Sequence, residues 1–325
     1  GATFTGTAAL HAALLGVGVG AGDLVACPAL TFVGTVNAIS YCGADPLFVD
    51  SEWHTLGIDA RKLQAFIEDA CENRDGIVHH RASGRRLAAV IPVHVFGHPV
   101  DMDPLMEICS TRGIPVVEDA AEALGSAYKG RPCGGLADAG VVSFNGNKTV
   151  TTGGGGMIVT DSADLASHLR HVTTTARTGT GWDFDHDMVG FNYRLPNINA
   201  ALGCAQMELL DGFLDRKRQL HARLATALAG TPEARLFAEQ PWARSNHWLN
   251  ALIFADQGAR DRFLVETNDR DIQTRPCWRL MPDLAPYRDA VRGDDLAVAR
   301  DIQRRVANVP SGPGLMRPAS MAASD

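Results

Sequence analysis

The stretch Ser143-Phe-Asn-Gly-Asn-Lys148-Thr-Val-Thr-Thr152, followed by Gly153 to Gly156, constrains this chain more than any other. The apolar run Ala139–Val142 before it reads as a buried strand, and the consecutive glycines turn the chain back into a second apolar run, Met157–Thr160. The polar segment is therefore a tip between two strands, and its lysine stands at a strand end. Only four of the thirty basic residues are lysines, so each can be weighed singly. Lys62 sits in a charged helical pattern, Lys129 in a turn and Lys217 in Asp215-Arg-Lys-Arg, and all three read as surface residues. Lys148 alone is flanked by small and apolar residues, where desolvation favours the neutral, nucleophilic amine. A lysine that merely reaches solvent fits this local stretch equally well, so its neighbours must decide.

With 325 residues and 46% hydrophobic content, the chain can bury one large core and a smaller one. Net charge is -7 and basic runs are absent, which argues against nucleic acid or an anionic membrane as partner. Gly, Pro or His interrupts every apolar stretch before it reaches spanning length. The seven cysteines, with no Cys-x-x-Cys pair, fit a reducing compartment such as the cytoplasm, and neither a disulfide framework nor a zinc site. There is no signal-peptide pattern. The opening Gly-Ala-Thr-Phe-Thr already reads as a strand, so the natural N-terminus is expected to lie further upstream.

In order, the chain opens with a short strand, a Thr5-Gly6-Thr7 turn and an Ala/Leu-rich helix whose free N–H groups suit a phosphate, although many helices that begin with Thr bind nothing. The glycine run 16–22 follows a helix rather than a strand and so does not meet the dinucleotide fingerprint. Next come strand 24–27, helix 32–41, strand 46–50, helix 61–71, a polar loop 72–86, strand 87–95, helix 102–111 and strand 114–119. Strands alternating with helices and carrying continuous apolar runs imply a mainly parallel sheet with helices on both faces. His94 and His98 straddle a strand end and a turn, which suits packing under the sheet edge better than a zinc pair. Asp119 ends its strand where open parallel sheets place ligands; a helix N-cap is the competing reading. The loop 173–187 reads as a cover or as an arm toward a partner subunit. A long helix reaching Leu228 closes a first domain, 1–228. A smaller α/β domain, 229–325, ends in the small-residue tail Ala319–Asp325.

Together these parts are what pyridoxal 5'-phosphate (PLP) needs. A lysine bonds its aldehyde, an Asp keeps its ring nitrogen protonated, an aromatic stacks on the ring, and N–H and hydroxyl donors hold the phosphate.

On these residues the chain resembles the fold-type I PLP aminotransferases that act on nucleotide sugars, the DegT/StrS group, over nearly its whole length. Thr5-Gly6-Thr7 resembles the family's Ser-Gly-Thr phosphate turn, and Thr31-Phe32 its ring-stacking segment. Glu118-Asp119-Ala-Ala-Glu122 resembles the motif whose Asp pairs with the pyridine nitrogen and whose last residue lies by the phenolic oxygen. Ser143 and Lys148 stand as the family's phosphate-binding Ser and cofactor-bonding Lys. Asn192 stands in a segment that, in the family, crosses a dimer interface to the partner's cofactor phosphate. Family members carry further residues ahead of the phosphate turn.

Ser245-Asn-His-Trp, Thr274-Arg-Pro-Cys-Trp and Asn308-Val-Pro-Ser resemble the LegC-type branch of the legionaminic acid and bacillosamine pathways. The resemblance implies a homodimer with shared sites and ping-pong transfer of an amino group from glutamate, which leaves as 2-oxoglutarate. Pyridoxamine phosphate carries the group to C4 of a nucleotide-linked 4-keto-6-deoxy-N-acetylhexosamine. Arg194 and Arg275 are candidates for the substrate's phosphates or carboxylate, or for interface salt bridges. The rival readings are a sugar dehydratase of the same fold, in which a His replaces the lysine, a nicotinamide oxidoreductase, and a catalytically silent dimerisation partner.

Overall fold

The computed structural model describes residues 1–316; the tail Ala319–Asp325 and the end of the 229–325 stretch lie outside them. Strand Leu24–Pro28 is buried along its whole length and sends alternate side chains to opposite faces. Val25 and Cys27 enter one apolar layer with helices Gly6–Gly16 and Val33–Tyr41, while Leu24 and Ala26 enter another with helices Ala60–Ala70 and Met102–Ser110. This two-sided burial is why the strand reads as an unbroken apolar run.

Around it, Val291–Arg292, Asp45–Val49, Leu24–Pro28 and Leu87–Val90 pair in parallel in that order. Parallel bridges Val90–Val116 and Val93–Asp119 continue the layer into Val117–Asp119, Ala139–Ser143, Gly156–Val159 and Ala2–Thr3. Only the last two strands bring antiparallel pairings. The sheet is thus mainly parallel with helices on both faces, a fold-type I arrangement.

A second, antiparallel sheet is ordered Ala234–Leu236, Asn250–Phe254, Val306–Val309, Arg275–Pro276. Its Ala251 and Ile253 reach the core of the large layer, while Leu252 and Phe254 pack under helix Gln257–Asn268. The division at residue 228 is crossed twice, because Val291–Arg292 forms an edge of the large sheet and Ala243–Arg244 pairs with Ala127–Tyr128.

Three local expectations are corrected. The polar loop after residue 71 contains a hairpin, Cys71–Arg74 with Ile77–His80, closed by a turn in which Asp75 and Gly76 have positive φ. The helix reaching Leu228 is broken at Glu208–Leu209 into Asn197–Met207 and Leu210–Ala227. Lys217, expected at the surface, is buried and donates from Nζ to the carbonyls of Trp248 (3.1 Å) and Ser311 (2.6 Å). Burial lowers its pKa to about 8. Its charged neighbours suggested a solvated face, but its position on the helix turns it toward the second sheet. Lys129 is half-exposed and pairs with Asp103, and Lys62 is a third exposed and paired with Asp50 and Asp294.

Candidate active site

Helix Gly6–Gly16 starts against the large sheet, capped by Thr5, whose hydroxyl accepts the Ala8 N–H at 3.0 Å. Cap and helix geometry leave the first N–H groups without intrahelical acceptors, and Gly6 and Thr7 line a cavity of about 310 Å³. A Cβ on Gly6 would lie 2.9 Å from Ser143 Cβ, so only glycine lets the helix start approach the strand end this closely.

Opposite, Asp119 arrives at the carboxyl end of its strand, which is tied to the neighbouring chain by Asp119 N–H to Pro92 O (2.9 Å) and His94 N–H to Asp119 O (3.2 Å). Its carboxylate is buried and accepts from Thr35 Oγ1 at 2.7 Å and from the Ala121 N–H at 3.1 Å. The second bond closes a local turn: residues 120–126 form turns and no helix, so the N-cap expectation for Asp119 is corrected. Burial pushes its pKa up, while the Thr35 hydroxyl, the Ala121 amide and the Lys148 side chain pull it back toward the charged form.

Three residues further on, Glu122 is also buried and accepts the Phe96 N–H at 2.9 Å. Burial raises its pKa to about 7 against the opposing pull of Lys148. Lys148 Nζ lies 3.4 Å from Glu122 Oε1 and 4.0 Å from the centre of the Trp248 indole, and the lysine side chain is only 11% exposed. Phe32, 55% exposed at the mouth, faces Trp278 across 6.5 Å between ring centres.

Gly6, Thr7, Phe32, Asp119, Glu122, Ser143 and Lys148 therefore line one cavity. Asn192 and Arg194 do not: they line a separate hollow with Phe4 and Pro196, and both are exposed. Arg275 lies on the second sheet, also outside the cavity, and donates to Thr274 O (2.8 Å) and Asn268 Oδ1 (3.1 Å). Trp248 and Trp278 line the cavity although sequence reasoning gave neither a role there. The signal was present in the motifs Ser245-Asn-His-Trp and Pro276-Cys-Trp, which carry large aromatics in segments otherwise small or polar.

His94 and His98 are both buried. His94 Nδ1 accepts the Val100 N–H at 3.0 Å, so its proton lies on Nε2, which donates to Glu118 Oε1 at 2.7 Å. Cys133 stands near this pair, but the Glu118 oxygens also accept the Gly134 and Leu136 amides, leaving a satisfied hydrogen-bond cluster.

Residues 2–321 match the family profile described as the DegT/DnrJ/EryC1/StrS aminotransferase family. The chain is 35% identical to the GDP-perosamine synthase of Caulobacter vibrioides over 95% of its own length and 80% of that protein's. It is 36% identical to EpsN of Bacillus subtilis, described as a pyridoxal phosphate-dependent aminotransferase, over 95% of this chain and 77% of EpsN. Among solved structures, DesV of S. venezuelae, crystallised with a ketimine intermediate, superposes with a TM-score of 0.85 at 29% identity, covering 99% of this chain and 81% of DesV.

Proposed function

The chain belongs to the DegT/DnrJ/EryC1/StrS aminotransferase family and is a PLP-dependent sugar aminotransferase; on that premise we propose that it moves an amino group from glutamate to C4 of a nucleotide-linked 4-keto-6-deoxyhexosamine. The observation that carries this reading is the meeting of one amine and two buried carboxylates in a single cavity of about 310 Å³.

The residues fit the cofactor. Lys148 would bond its aldehyde carbon, Asp119 would face its ring nitrogen, and Phe32 would cover a ring face. Gly6, Thr7 and Ser143 would hold its phosphate where the Gly6–Ser143 contact leaves room for no side chain. When bound, PLP supplies an electron sink for a carbanion next to the transferred nitrogen.

The chain's own part is positional and protonic. The buried Asp119 carboxylate, drawn toward its charged form by the Thr35 and Ala121 hydrogen bonds and by Lys148, would face the protonated ring nitrogen of the cofactor. Lys148 Nζ, once free, would serve as the group that takes up and returns the proton, and Glu122 Oε1 at 3.4 Å is the group that can share it. Glu122 suits this because its pKa of about 7 places both protonation states within reach. Phe32, Trp248 and Trp278 give the cavity its apolar lining. A lysine at position 148 favours transamination over the dehydratase reading, and the assembled cavity favours an enzyme over a silent partner.

The second copy of the chain belongs to the same proposal. Helix Asn197–Met207 has no buried residue, and Trp182, Val189 and Ile198 are 94%, 84% and 86% exposed. An apolar surface of this extent suits a homodimer in which Asn192 and Arg194 reach the partner's site. Arg275 remains a candidate for the substrate's phosphates. The LegC-like motifs favour an N-acetylated sugar and leave the nucleotide open, whereas the perosamine synthase relative favours a GDP-linked one. Incubating the purified chain with PLP, glutamate and a panel of UDP- and GDP-linked 4-keto sugars separates them. We expect one nucleotide class to be aminated, with 2-oxoglutarate formed in equal amount; no amination of any 4-keto sugar would sink the proposal.

A further inference from the structure

We propose that Trp248 is a positioning residue for Lys148, its indole face holding the free amine beside Glu122. The inference rests on the reading of Lys148 as the residue that bonds the cofactor. Nζ sits 4.0 Å from the indole centre, within the range of a cation–π contact, for which Trp is the strongest aromatic partner.

Trp248 is held at its indole, its amide and its carbonyl. Its Nε1 donates to Asn147 O at 2.8 Å, the carbonyl of the residue directly before the lysine. Its backbone N–H donates to Asn246 Oδ1 at 2.8 Å, and its carbonyl accepts from the buried Lys217 Nζ at 3.1 Å. Asn246 in turn donates from Nδ2 to the carbonyls of Glu122 (2.8 Å) and Leu124 (2.9 Å). One asparagine thus ties the Trp248 backbone and the Glu122 backbone into a single frame, although they lie far apart in the chain. His247, between Asn246 and Trp248, is held in the left-handed region at φ 48°, a conformation that persists only where surrounding bonds impose it.

The simpler reading makes Trp248 a core aromatic, since it is 7% exposed. Core packing alone explains neither the amine lying over its face nor the use of its only side-chain donor on the residue next to the lysine. A lysine stem has four rotatable bonds, and an amine free to wander must find the reacting carbon again at each turnover. An indole and a carboxylate fixed to one frame shorten that search.

The test uses the full chain freed of cofactor, with PLP itself as the probe. Wild type, Trp248→Phe, Trp248→Leu and Lys148→Ala are mixed with PLP at mildly alkaline pH, quenched with borohydride at intervals, and the reduced adduct is located by mass spectrometry. We expect Trp248→Leu to attach PLP at Lys148 about tenfold more slowly than wild type, and Trp248→Phe, which keeps an aromatic face, to stay within about threefold. Lys148→Ala should gain no adduct, and thermal melting should confirm that each variant is folded. A wild-type rate in Trp248→Leu would overturn the inference, as would a Trp248→Phe as slow as Trp248→Leu, which would transfer the effect to the Nε1–Asn147 bond. If wild type itself gains no adduct at Lys148, the functional reading fails; if wild type and Trp248→Leu are labelled alike, that reading stands and only the role of Trp248 falls.

Discussion

The two walls of the cavity are built on different terms. The first, from residues 5–148, consists of strand ends and a helix start, so backbone already committed to the large sheet positions Asp119, Ser143 and Gly6. The second carries Trp248 and Trp278 on short irregular segments, 245–249 and 277–280, that flank strands of the smaller sheet, and side-chain hydrogen bonds through Asn246, Ser126 and Ser245 hold the first of them in place. Gly97 meets it closely: with φ at 91°, any Cβ there would overlap Asn246 Oδ1. The first wall therefore carries charge at a cost borne by the whole sheet. The second carries aromatic surface on a framework of a few bonds.

Substitutions can break or sharpen this contrast. In the first wall, Lys148→Ala should lower transamination by about three orders of magnitude or more and abolish the visible absorption of the lysine-bound cofactor. A yellow, active variant would remove Lys148 from its role. Asp119→Ala should keep some bound PLP yet lose about 10²-fold in kcat, the scale of one removed charge-stabilising partner. An unimpaired rate would leave the carboxylate structural only.

In the second wall, Asn246→Ala leaves the Glu122 and Leu124 carbonyls and the Trp248 N–H without their partner. It should cost about 3 kcal/mol in urea unfolding without altering the m-value, and a variant as stable as wild type would contradict the framework described.

The smallest effect concerns Glu122. Its pKa in the folded chain is raised to about 7, so between the ordinary carboxylate range and that value the folded state binds more protons than the unfolded. In the cofactor-free chain the stability this group contributes is complete below the unfolded pKa and is lost as pH rises toward about 7. Glu122→Gln should remove that slope and gain on wild type by on the order of 2 kcal/mol across the window, read from denaturation midpoints at a series of pH values. Parallel pH profiles for the two proteins would show that Glu122 is not held near neutrality.

The same contrast explains what the sequence could disclose. Glu118–Glu122 and Ser143–Lys148 are continuous segments in which chemistry and strand end coincide, so Asp119 and Lys148 could be read from their positions, while the roles of Glu122 and Ser143 came from the family resemblance. Asn246 reaches Glu122 across 124 positions and Trp248 reaches Asn147 across 101, contacts that leave no local period. Lys217 was misread for a related reason: flanking charges report a solvated face only when the facing element is known, and here it is the far sheet. Parallel order could be inferred from alternating elements, but the strands at the two edges, Ala2–Thr3 and Val291–Arg292, are too short to carry a pattern. The break at Glu208–Leu209 likewise has no proline or glycine to announce it.

Strand Val291–Arg292 has a consequence for how the molecule can be taken apart. It lies late in the chain yet borders Asp45–Val49, and the nearby amides of Val298 and Ala299 are received by the Asp50 carboxylate at 3.0 and 2.7 Å. A cut at any one peptide bond near residue 228 would strip an edge from one piece and orphan a buried acid, so neither half is a transplantable module. Changing what the pocket accepts by grafting must exchange loops inside the framework, not the framework's halves.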